Sequence, residues 1–109
     1  MSVTVVAMVT LNDDEPMALA EYFRVTGPLM ERAGAVITKT FDINEVVVGH
    51  RPAKKVFIVE YPSRAAVDMV FKSPEYEAVK PTRDIAFSEY SVTVAADNEA
   101  AAADVASVD

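Results

Sequence analysis

The sequence predicts an α+β domain, on three observations. Four short stretches rich in β-branched and aromatic residues read as strands. Two amphipathic stretches, one after the first strand and one after the third, read as helices. Their order, β-α-β-β-α-β, folds most simply into a four-stranded antiparallel sheet with both helices on one face, the ferredoxin-like arrangement.

The first strand is SVTVVAMVTL, residues 2 to 11. Val3, Val5, Ala7, Val9 and Leu11 line one face, and Thr4, Val6, Met8 and Thr10 line a mixed second face. A strand covered on both sides reads this way. Asn12, Asp13 and Asp14 can cap the helix that follows, and Pro16 suits its first turn. Leu19, Tyr22, Phe23, Thr26, Leu29, Met30 and Ala33 recur at helical spacing. A kink is expected at Gly27–Pro28 and an end at Gly34.

Residues 35 to 48 predict an edge strand with a bulge near Asp42-Ile43-Asn44, followed by a turn at GHRPAK, 49 to 54. KVFIVEY, 55 to 61, is a short apolar strand. Pro62–Ser63 opens a helix with Ala66, Val67, Val70 and Phe71 on one side. In SPEYEAVKPTRD, residues 73 to 84, Ser73–Pro74 starts a further short helix and Pro81 is expected to end it. FSEYSVTVA, 87 to 95, is the last strand.

The domain is expected to span residues 1–95. Residues 96–109, rich in alanine and acid, have no core-forming period and predict a mobile tail. Helices on one face leave Val6, Met8 and Ile58 on the other. A second copy laid against that face would cover them and close a dimeric α+β barrel. A monomer with a solvated outer face is the alternative.

Net charge is −7, and Asp97, Glu99, Asp104 and Asp109 leave −3 of it for residues 1–96. That balance disfavours nucleic acid. The absence of cysteine removes thiolate chemistry, and a single histidine makes a metal cage improbable. No apolar run is long enough to span a bilayer, and the N-terminal stretch lacks a basic region, so a cytoplasmic protein without a membrane partner is expected. No phosphate loop, nucleophile elbow or dinucleotide fingerprint is present, and no cofactor is expected.

Four residues carry candidate chemistry. Arg83, in a segment bounded by prolines, offers a planar fork of donors to a carboxylate or enolate, or pairs with Asp84, Glu75 or Glu77. Tyr76 can donate its phenol to a ligand or simply pack. Glu60 follows Val56 and Ile58 on one side of a strand and, if half-buried, is a candidate base; solvent or a cation is the alternative. His50 could move protons near neutral pH, or stand solvated in its turn.

The segment VFIVEYPSRAAVDMVFKSPEYEAVKPTRD resembles the signature of the family known as domain of unknown function 1330. GHRP and the position of Tyr22 are similar too. The resemblance covers residues 3 to 95 and implies a dimeric α+β barrel, with Tyr22, Tyr76 and Arg83 at a binding site. It implies no reaction. Relatives often carry Trp where Val70 or Phe71 stands here, which implies a pocket wall of different shape. Two functions follow as expectations. One is binding of a small anionic or aromatic metabolite in a cleft between sheet and helices of a homodimer. The other is a cofactor-independent enzyme, monooxygenase- or isomerase-like, acting on an activated carbonyl or phenolic substrate. In the enzyme, Glu60 or His50 would move the proton and Arg83 would hold an anionic oxygen.

Overall fold

The computed structural model describes residues 2–96; the predicted tail, apart from Ala96, lies outside the described residues. Seven elements follow in order: β1 (Val3–Leu11), α1 (Pro16–Ala33), β2 (Val36–Asp42), β3 (Lys55–Tyr61), α2 (Arg64–Phe71), α3 (Pro74–Ala86) and β4 (Phe87–Ala95). The strands form one antiparallel sheet in the order β2-β3-β1-β4, the ferredoxin-like order. Three helices accompany it, the third being the one expected from Ser73–Pro74, and it is longer than expected.

Period-two alternation and the strand register sort the side chains onto two faces. Val5 pairs with Val59 and Val94, and Val9 with Lys55 and Tyr90. Val5, Val9, Val59 and Tyr61 are buried under the helices. Thr4, Val6 and Met8 pair with Glu60, Ile58 and Val56 on the opposite face, where all six are half-buried. Glu89, Ser91 and Thr93 of β4 are exposed on that same outer face. Its apolar character therefore lies on β1 and β3 and, through Val36 and Phe41, on β2, and not on β4.

The helix ends explain why the site residues sit where they do. At α1 the expected side-chain cap is not made. Glu15 occupies the cap position, and Asn12 instead shapes the entry: its backbone carbonyl accepts from the Glu15 N–H at 3.0 Å and its side chain from the Asp14 N–H at 3.3 Å. Helix α1 then runs unbroken through Gly27–Pro28. Within a helix those two residues are unfavourable relative to alanine by about 1 and about 3 kcal/mol. Gly34 ends the helix in the left-handed region, at φ 76°, and a Cβ there would approach Pro62 Cγ to 3.0 Å.

Ser63 caps α2, accepting from the Ala66 N–H at 3.1 Å, and Ser73 caps α3, accepting from the Tyr76 N–H at 3.0 Å. Pro81 does not end α3; the helix continues to Ala86, so Arg83 stands on its last turn and not in a loop. The bulge in β2 also differs from expectation. It falls between Ile37 and Lys39, and β2 stops at Asp42. Residues 43 to 54 form one long connection rather than a strand and a tight turn. The register with β3 ends at Asp42–Lys55, and past it Ile43 donates one backbone bond to the Lys54 carbonyl at 2.8 Å.

Candidate functional site

Between the helices and the inner face of the sheet lies a cavity of about 260 Å3. Its walls are mostly aliphatic and aromatic, with Val5 and Val59 from the sheet and Val70 from α2. All four tyrosines of the chain line it: Tyr22 from α1, Tyr61 from β3, Tyr76 from α3 and Tyr90 from β4. Each is delivered by a simple device. Tyr22 stands on the apolar stripe of α1, and Thr26 one turn on bonds the Tyr22 carbonyl at 3.0 Å. The Ser73 cap fixes the backbone of Tyr76. Tyr61 and Tyr90 hold inward positions of their strands, opposite Val3 and Val9.

Three of the hydroxyls meet. Tyr22 lies 2.5 Å from Tyr90 and 3.1 Å from Tyr76, and Tyr76 lies 2.9 Å from Tyr90. A triangle of hydroxyls closes when each donates to one neighbour and accepts from the other. All three protons are then used, while each oxygen keeps a spare lone pair. The rings behind them pack edge to face: Tyr22 on Phe87 with centroids 5.0 Å apart, and Phe71 on Tyr76 also at 5.0 Å.

Burial governs the ionisation of these phenols. It pushes Tyr22 well above the usual phenol range, with the neighbouring Tyr90 adding to the effect. It raises Tyr90 strongly as well, and pushes Tyr61 up to about 12. Tyr22, Tyr61 and Tyr90 are therefore neutral hydroxyls across the physiological range.

Arg83 belongs to the back of this wall. Its guanidinium carbon lies 5.2 Å from the Tyr90 ring centre and 5.9 Å from that of Tyr76, a cation–π arrangement. Its Nε and Nη2 donate to Asp84 at 3.3 and 3.2 Å. Partial burial works against its charge, but the Tyr76 phenol and the Asp84 carboxylate outweigh that and raise its pKa. Arg83 faces a second hollow of about 510 Å3 with Ser88 and Ser91 in its lining. Tyr76 and Tyr90 form part of both linings, so they stand between the two hollows.

The sequence-predicted residues thus divide. Tyr22 and Tyr76 meet at the cavity, and Arg83 stacks against that wall from outside. Glu60 does not join them. It points to the outer face and accepts from the Thr4 hydroxyl at 2.6 Å, because Val59 and Tyr61 take the inward positions of β3. His50 is exposed in the 43–54 connection and contributes nothing to either lining. Tyr61 and Tyr90 were not singled out in the sequence. The signal for both was parity: Tyr61 alternates in step with Phe57 and Val59, and Tyr90 with Val92 and Val94. Among the described residues no cluster of three or more His, Cys, Asp or Glu could hold a metal.

Fold and site together define a ferredoxin-like α+β protein with a phenol-walled cavity between its layers. The chain belongs to the family described as Domain of unknown function (DUF1330), which matches residues 2–104. No curated protein matches it significantly. Among solved structures it resembles RPA0582, a protein of unknown function from Rhodopseudomonas palustris, with 24% identity over 89% of this chain and 82% of that one, at a TM-score of 0.72. It also resembles a dimeric protein of unknown function and ferredoxin-like fold from Bacteroides fragilis (13% identity, 88% and 96% covered, TM-score 0.53). A third is an antibiotic biosynthesis monooxygenase (18% identity, 88% and 98% covered, TM-score 0.58). At these identities the likeness is one of fold. Among the described residues no helix is long and apolar enough to cross a membrane.

Proposed function

We propose that the protein binds a small, flat, largely apolar molecule that presents one oxygen to the hydroxyls of Tyr22, Tyr76 and Tyr90. The observation that carries this reading is an apolar cavity with its hydroxyls gathered at one place. An accepting oxygen can take one proton from the triangle, and the number of hydrogen bonds is kept. A carbonyl or phenol suits that exchange. A bare carboxylate inside the cavity would lose its hydration with no cation among the lining residues. At about 260 Å3 the space falls below the roughly 300–1,000 Å3 of drug-sized sites, which points to one or two rings. A ligand that also carries an anionic group would direct it toward Arg83, through the wall the two hollows share.

The test is a thermal-shift and calorimetric screen with 2-naphthol, 4-hydroxybenzaldehyde and benzoate, repeated on Tyr22→Phe. Saturable binding of the first two, weakened by the substitution, supports the reading. Equal binding by the variant places the ligand elsewhere.

A second reading, a cofactor-independent enzyme on an activated carbonyl or phenolic substrate, draws support from the same donors. Neutral phenols aimed at a carbonyl oxygen can stabilise charge developing there. The antibiotic biosynthesis monooxygenase of similar fold is compatible with it. Glu60 and His50 stand apart from the cavity, so in this version proton movement falls to the tyrosines themselves. Turnover of 4-hydroxybenzaldehyde or a related phenol, abolished in Tyr22→Phe, is the measurement.

The protein is further proposed to work as a homodimer, joined through the outer face of the sheet. Val6, Met8, Val56 and Ile58 give that face an apolar centre, with Val36 and Phe41 of β2 continuing it. The dimeric Bacteroides fragilis protein of like fold supports a second copy as the occupant. The ligand cavity lies within one protomer, on the other side of the sheet.

A further inference from the structure

We infer that ligands enter the cavity between α1 and the edge strand β2, and that Gly27 sets the width of this entrance. The inference rests on the binding reading above. The cavity is not sealed evenly. Two of its large lining residues are half exposed, Phe23 of α1 at 50% and Ile37 of β2 at 52%, and exposed Gly27 lines it one turn along α1 from Phe23. Tyr22, Val59, Val70 and Phe87, deeper in the same lining, are buried.

Phe23, Thr26, Gly27 and Met30 all line the cavity, and their spacing of three, four and seven residues puts them on one stripe of α1. A side chain at position 27 would therefore leave the helix on the cavity side. A Cβ built there meets nothing within 4 Å. Nor does the backbone call for glycine, since Gly27 is absent from the positive-φ positions, Gly34 and Gly49. A glycine that weakens its helix, with neither a close neighbour nor a special conformation to require it, leaves one distinctive property: the open space beside it. That space admits a flat ring edgewise and would be filled by any long side chain.

Stopped-flow binding of 2-naphthol tests the entrance, with melting curves to confirm folding. Gly27→Leu places a good helix former at the position and fills the gap. It is expected to slow association and dissociation together, by about tenfold or more, with Kd held within about twofold. Ile37→Ala, which trims the opposite jamb, is expected to speed both. Gly27→Leu rates equal to those of the unsubstituted protein would overturn the entrance alone. So would weaker affinity with unchanged association and faster dissociation, since the side chain would then lie inside the cavity. If Gly27→Leu does not fold, Ile37→Ala decides: faster association supports the entrance and unchanged association overturns it. No saturable binding of 2-naphthol or of the wider panel by the unsubstituted protein overturns the binding reading itself, and the entrance with it.

Discussion

The hydroxyls of Tyr22 and Tyr90, 68 residues apart in the chain, lie 2.5 Å from each other at the wall of an apolar cavity. Tyr76 completes the triangle from a third element. Helix α1, helix α3 and strand β4 are thus tied by polar contacts at the place where the interior is otherwise hydrocarbon. Such a network is stable when complete and costly when broken.

Tyr22→Phe is expected to lower stability by about 1–2 kcal/mol, because one of the two remaining hydroxyls keeps a proton without an acceptor. Tyr61→Phe, outside the triangle, should lose less than about 0.5 kcal/mol by the same reasoning. Urea unfolding of both variants, compared at equal slope, measures the difference. Similar losses would mean that the triangle adds nothing beyond ring packing.

Alkaline pH should unfold the protein through its tyrosines. Burial raises the pKa of Tyr61 to about 12 and those of Tyr22 and Tyr90 as well, whereas an unfolded tyrosine ionises near about 10. Below pH of about 10 both states hold the phenolic protons, and stability from this source is constant. Above it the unfolded chain releases protons that the folded chain retains. Stability then falls by up to about 1.4 kcal/mol per pH unit for each such tyrosine, until the folded-state value is passed. Phenolate absorbance should therefore rise together with the loss of secondary structure, not ahead of it.

Ser73→Ala removes the oxygen that accepts from the Tyr76 N–H and donates to the Val70 carbonyl at 2.7 Å. A loss of about 1 kcal/mol is expected. Because the cap also positions Tyr76, binding of 2-naphthol should weaken beyond what reduced folding explains. Calorimetry at a temperature where the variant is fully folded separates the two effects.

Arg83→Ala should discriminate between ligand types. On the proposed reading neutral phenols would contact the tyrosines and not the guanidinium, so their affinity should change by less than about threefold. Phenols bearing a carboxylate should lose about tenfold or more, since a charge-assisted bond contributes about 1.5–3 kcal/mol. A uniform loss across both sets would make Arg83 a support for the two rings it covers.

Ile58→Asp places a charge in the apolar centre of the outer face without touching the cavity. Sedimentation should show the unsubstituted protein as a dimer and the variant as a monomer. An unsubstituted protein that sediments as a monomer would remove the proposed interface.

The fold was legible because it is written in alternation. The inward set Val5, Val9 and Val59 and the outward set Val6, Met8 and Ile58 could be assigned by counting in twos. Features that depend on a partner strand or on a single proline were less readable. Nothing local to Thr38 marks the β2 bulge, which arises from pairing with β3. Pro81 reads as a stop, yet α3 runs through it to Ala86. For the site, Tyr76 was visible in its own segment and Tyr22 through resemblance, and Tyr90 was within reach of the same parity argument. The separation of Glu60 from Arg83 was within reach of parity too, since Glu60 shares its side of β3 with the outward Val56 and Ile58.

The three-phenol triangle has one more property. Its protons can run around it in either of two senses, and every link reverses when the sense does. The wall consequently has no permanent polarity of its own. On the proposed binding reading, an incoming guest would select, by the angle at which its oxygen arrives, which of the three tyrosines becomes its donor. Compounds that differ only in where that atom sits on the ring would then be received by the same pocket through different partners.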